Sequence, residues 1–111
     1  MNITELVDIA WDHAEQHGFH EDMSNVVPVK LALIHAEVSE ALEAHRESDI
    51  LTIRTTDARG NLKPEGFASE LADIMIRVAD LAGILEIDLE GAIKEKMAYN
   101  QTRPYKHGKA Y

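Results

Sequence analysis

Cysteine is absent from the 111 residues, so a disulfide framework and a thiolate zinc site are both excluded, and the composition fits a reducing compartment. Positive charge is in deficit: 11 Lys and Arg stand against 20 Asp and Glu, for a net charge of -9. Any contact with nucleic acid would work against the field of the whole molecule, so a duplex-binding role is discounted. No stretch approaches the roughly 18 uninterrupted apolar residues of a membrane span, and no early apolar run resembles a signal peptide. The expectation is a soluble, cytoplasmic protein without a membrane or nucleic-acid partner. Only three prolines are present, and each reads as a helix boundary.

What is present suffices for one globular domain over residues 1–111, because 45% of the chain is hydrophobic. On a helical wheel Ile3, Leu6, Val7, Ala10, Trp11 and Ala14 share an arc opposite Glu5, Asp8, Asp12 and Glu15, which predicts a first helix ending near Gly18. Pro28 suits the first turn of a second helix running to about Glu47, with Ser24 or Asn25 as its cap and Leu31, Ile34, Val38, Ala41 and Leu42 on its apolar arc. The periodicity then fails from Ser48 to Lys63, which reads as a long connection with room for a small hairpin. Pro64 is expected to open a third, heavily buried helix carrying Leu71, Ile74, Met75, Val78, Leu81, Ala82 and Leu85. Asp88 is the expected N-cap of a fourth helix, which must end before Pro104 and leaves a polar, mobile tail from Tyr105. The sum is an all-α chain whose surplus apolar surface calls for a homo-oligomer.

The informative feature is a set of acids in apolar company. Glu37 and Glu40 stand at i, i+3 among Leu33, Ile34, Ala41 and Ala44, while Glu70 and Asp73 stand at i, i+3 among Leu71, Ile74 and Met75. If the second and third helices pack antiparallel, the two pairs can face one another. Two like charges about 4 Å apart repel by about 4 kcal/mol at an effective dielectric of 20, so protons or cations must relieve the cluster. Oxygen ligands without cysteine or a matching histidine favour Mg²⁺, with Mn²⁺ as a substitute. Mg²⁺ commonly completes its shell with substrate phosphates. Lys96, Asn100 and Arg103 share one face of the fourth helix and its exit, and their point charge, neutral donor and donor fork suit a polyphosphate.

Together these residues resemble the MazG-like all-α nucleoside triphosphate pyrophosphohydrolases, whose mark is ExxE on one helix and ExxD on the next. The motifs stand as Glu37-Val-Ser-Glu40 and Glu70-Leu-Ala-Asp73, and the resemblance covers about residues 28–104. It implies a four-helix MazG-like bundle completed as a homodimer or homotetramer. It also implies Mg²⁺-dependent hydrolysis of a nucleoside triphosphate to the monophosphate and pyrophosphate, in clearance of the nucleotide pool. Glu37, Glu40, Glu70 and Asp73 would be the metal ligands and catalytic acids, and Lys96, Asn100 and Arg103 would hold phosphates. The 29 residues between Glu40 and Glu70 sit at the long end of the family's spacing, and the extra length falls in the Ser48 to Lys63 loop. The alternative is a non-catalytic helical oligomer that binds a nucleotide or metal in a regulatory or interaction role.

Other residues carry weaker readings. His13, His17 and His20 lack a carboxylate at a recognisable metal spacing, and no Glu has a His three residues later, which removes a ferritin-like di-iron site. Trp11, Phe67 and Tyr99 read as packing residues. Asp80 is expected to pair with Arg77, or else to join the metal site.

Overall fold

The computed structural model describes residues 1–47 and 53–110. Its elements are α1 (Ile3–Gln16), α2 (Val26–Arg46), a hairpin of β1 (Ile53–Thr56) and β2 (Leu62–Glu65), α3 (Phe67–Ile84), α4 (Leu89–Gln101) and a short 3-10 turn at Tyr105–Gly108. The chain is mostly helical, as expected, with one small sheet. No described helix is long and apolar enough to cross a membrane.

Local chemistry sets most of the boundaries. The Asn2 side chain accepts from the Glu5 N–H at 2.7 Å while the Glu5 carboxylate accepts from the Asn2 N–H at 3.1 Å, a reciprocal cap that starts α1. Asp88 caps α4 as expected by accepting from the Gly91 N–H at 3.0 Å. Asn25 precedes α2 but makes no side-chain cap; its backbone is left-handed, with φ 51°. Pro28 does fall in the first turn of α2.

Pro64 does not open α3. It lies in β2 opposite Arg54, in an antiparallel register that also pairs Ile53 with Glu65, Thr55 with Lys63 and Thr56 with Leu62. A two-stranded ribbon has only edge strands, so a proline without an N–H is tolerated there. Asp57 closes the hairpin by accepting from the N–H groups of Arg59 and Asn61, both at 2.9 Å. Gly66, at φ 103°, turns the chain into α3. The first part of the Ser48 to Lys63 connection, residues 48–52, lies outside the described residues.

Four helices form, as expected, and within one chain they pack unequally. α3 packs along both α1 and α2, whereas α4 touches α1 and makes no comparable contact with α2 or α3. Small side chains allow that approach: among the described residues Ala10, Ala41, Ala79 and Ala82 form the buried hydrophobic core, and a Cβ at Gly83 would meet Trp11 at 3.1 Å. Glu90, in the first turn of α4, ties the two helix starts together by accepting from the Ile3 N–H at 3.0 Å and the Thr4 N–H at 3.3 Å. From there α4 departs. The radius of gyration is 16.5 Å, against about 13 Å for a compact domain of this length.

Within one chain α3 is buried only in part, at Ala79, Asp80 and Ala82. Leu71, Met75 and Leu85 are exposed in the single chain, as are Leu31, Val38 and Leu42 on α2. Among the described residues no large side chain is fully buried. A sequence pattern identifies the apolar face of a helix but not what covers it, and here one chain covers only part of each face.

Candidate functional site

The antiparallel packing of α2 on α3 brings the two acidic motifs together. Glu37 is buried at 8% exposure, and it, Glu70 and Asp73 each offer an oxygen such that the three lie within 4.8 Å of one another. Glu40 is exposed at the rim, outside that group of three, although its charge acts on Glu70.

The hydrogen bonding of these acids is incomplete. Glu37 Oε1 accepts from Arg77 Nε at 2.7 Å, but Glu37 Oε2 and Glu70 Oε2 are both buried without a hydrogen-bond partner. Buried carboxylate oxygens are normally paired, because an unsatisfied one forfeits its hydration. Two such oxygens in one cluster call for an electropositive partner, a proton or a cation, and an all-oxygen donor set suits a hard divalent cation.

The titration behaviour follows from the same geometry. Burial, then the charges of Glu40 and Asp73, push the Glu70 carboxyl up to about 7. Burial and the charge of Glu37 also raise Asp73, with Arg77 pulling the other way. For Glu37 burial is again the largest influence and acts upward, but the hydrogen bond and charge of Arg77 hold it below its ordinary value. Without a cation the cluster thus favours a proton on Glu70 and a negative charge on Glu37.

Arg77 was expected to pair with Asp80, and it does not. Asp80 accepts from His20 Nε2 at 2.8 Å and lies 3.8 Å from Lys30 Nζ, while His20 Nδ1 bonds Glu15 at 2.6 Å. Nor does Asp80 join the acidic group. The histidine at position 20, without a carboxylate at a metal-like spacing in sequence, finds Asp80 across 60 residues. Nothing in the linear pattern signals that pairing, since it depends on where the turn after α1 crosses α3.

Between the two polar clusters lies a cavity of about 360 Å³, lined on one side by His13, His17 and Phe19 and on the other by Glu37, Asp73 and Arg77. Such a volume is in the range of small-molecule sites. Trp11 is tilted against His20 with ring centroids 5.2 Å apart, and Phe67 against His45 at 6.0 Å, consistent with packing roles.

The basic residues of α4 stand apart from the acids. Lys96 Nζ and the Arg103 guanidinium lie 5.6 and 5.9 Å from the centre of the Tyr99 ring, so Tyr99, exposed at 57%, serves as a platform for cations and not as a core residue. Asn100 Oδ1 is a third buried oxygen without a hydrogen-bond partner. α4 makes no contact with α2 or α3 comparable to its contact with α1, so these residues and the acidic group stand on different helix pairs.

No protein-family model, no curated protein and no solved structure matches this chain.

Proposed function

We propose that the chain is a Mg²⁺-dependent nucleoside triphosphate pyrophosphohydrolase of MazG-like type, releasing the nucleoside monophosphate and pyrophosphate in the cytoplasm. The observation that carries this reading is the pair of buried, unpartnered oxygens on Glu37 and Glu70 within a three-carboxylate group. Glu37, Glu70 and Asp73 would hold the cation, with Mn²⁺ able to replace Mg²⁺, and Glu40 would complete the set from the rim. Bound there, the cation would lower the pKa of a water and neutralise charge on the phosphate oxygens. With the cation bound, one of these acids would orient the attacking water. No covalent nucleophile is required.

Their placement on different helix pairs supports a homodimer or homotetramer in which a neighbouring copy brings Lys96, Asn100 and Arg103 to the acids. The same assembly would cover Leu71, Met75, Val38 and Leu42, which one chain leaves exposed. A panel of nucleoside triphosphates assayed for pyrophosphate release with Mg²⁺ tests the proposal. Release from at least one, lost in Glu37→Ala, is expected; no turnover on any, or full turnover by Glu37→Ala, would sink it.

The second reading, a non-catalytic nucleotide- or metal-binding oligomer, draws on the fact that Arg77 already bonds Glu37 within the chain. Calorimetry showing tight binding with Mg²⁺ and unchanged nucleotide after long incubation would select it.

A further inference from the structure

Arg77 occupies a position that the acidic motifs do not explain. It lies one turn beyond Asp73 on α3, and its Nε–H holds one oxygen of Glu37 at 2.7 Å. Its side chain is 34% exposed and forms part of the cavity wall. Among the described residues no protein group accepts from its terminal nitrogens. One edge of the guanidinium is therefore committed to the acidic group, and the other remains available.

These two edges have opposed consequences. A fixed positive charge touching Glu37 repels any second cation that the same carboxylate would bind. It also attracts polyphosphate, which a guanidinium fork recognises through paired N–H donors while its first edge stays on Glu37. Phosphate oxygens placed against the free edge would cancel the charge that opposes the cation. The orphaned Glu37 Oε2, on a side chain 11% exposed, then remains for the metal.

We propose that Arg77 is an internal counter-cation that makes metal binding at the acidic group depend on a polyphosphate bound in the adjoining cavity. It is a positioning and coupling residue, and the inference rests on the function proposed above. By linkage, the factor by which polyphosphate strengthens the metal is the factor by which the metal strengthens polyphosphate. Without substrate, Arg77 keeps the carboxylates partly neutralised and holds the metal weakly.

Arg77→Gln keeps a hydrogen-bond donor beside Glu37 and removes the charge; Arg77→Lys keeps the charge and removes the fork. Two affinities are measured on the full chain: Mn²⁺ alone, by calorimetry and electron paramagnetic resonance, and inorganic tripolyphosphate alone, in the presence of chelator. In Arg77→Gln we expect Mn²⁺ to bind roughly tenfold more tightly and tripolyphosphate roughly tenfold more weakly, within the usual span of coupling factors. Arg77→Lys should leave Mn²⁺ affinity at the wild-type level. A residue that merely orients Glu37 would give the opposite sign for the metal. Wild-type binding of both ligands with Mn²⁺ affinity unchanged or lowered in Arg77→Gln overturns the inference and leaves the proposed function standing. If neither ligand binds the wild type or Arg77→Gln, both fall. Circular dichroism establishes that each variant is folded, and a misfolded Arg77→Gln leaves the decision to Arg77→Lys, where altered Mn²⁺ affinity overturns the inference.

Discussion

Two buried polar clusters adjoin α3, one turn of helix apart, and they are finished differently. Around Asp80, which is 7% exposed, His20 meets one carboxylate oxygen at 2.8 Å and Lys30 stands 3.8 Å from the other. Around Glu37, which is 8% exposed, one oxygen is bonded to Arg77 and the other has no hydrogen-bond partner. Burial alone does not separate them. The first cluster supplies its own partners and reads as structure; the second leaves carboxylate oxygens over and reads as a site.

That contrast breaks most visibly in activity. Glu37→Ala is expected to lower pyrophosphate release by at least about 100-fold, the upper end of what losing even an outer partner of a metal ligand costs. Asp80→Ala should act through stability instead. It leaves the Lys30 and His20 side chains, 11% and 7% exposed, without their shared carboxylate. A loss of about 3 kcal/mol in denaturant unfolding is expected, as for other broken buried ion pairs.

The third expectation has the opposite sign. Glu70→Gln removes a carboxylate that its neighbours repel, so without divalent ions the variant should unfold at the same or higher denaturant concentration, by up to about 1 kcal/mol. A clear destabilisation would mean that the acidic cluster is as structural as the Asp80 cluster.

The smallest effect is a slope. Glu70 has a folded-state value of about 7, above its ordinary 4.5, so between these values the folded chain holds a proton that the unfolded chain has released. Metal-free stability should therefore fall as pH rises from about 4.5 to about 7 and level off above that. Raised Asp73 adds to the fall in the same direction. Saturating Mg²⁺ or Glu70→Gln should flatten the curve, and thermal melts across this range with and without Mg²⁺ would reveal a slope that ignores both.

Much of the local structure was legible beforehand. The periodicities of Ile3 to Ala14 and Leu71 to Leu85 located α1 and α3, Asp88 marked its helix start, and the Ser48 to Lys63 connection left room for the small hairpin, because each depends on neighbours within a few residues. Pro64 misled because its lack of an N–H is as acceptable on the edge of a ribbon as in the first turn of a helix. The acidic motifs were legible for a similar local reason: i, i+3 spacing puts each pair on one side of its helix.

Sequence by itself determined that four helices would form and that two acidic motifs would sit beside apolar faces, since both follow from backbone periodicity and side-chain chemistry. Tertiary structure alone decided which acids would be satisfied. Arg77 could have turned to Asp80 or to Glu37, and the antiparallel placement of α2 gave it Glu37 while the turn after α1 gave Asp80 to His20. It also carried α4, with Lys96, Asn100 and Arg103, away from α2 and α3. Such choices depend on contacts between residues distant in the chain, and no local pattern encodes their outcome.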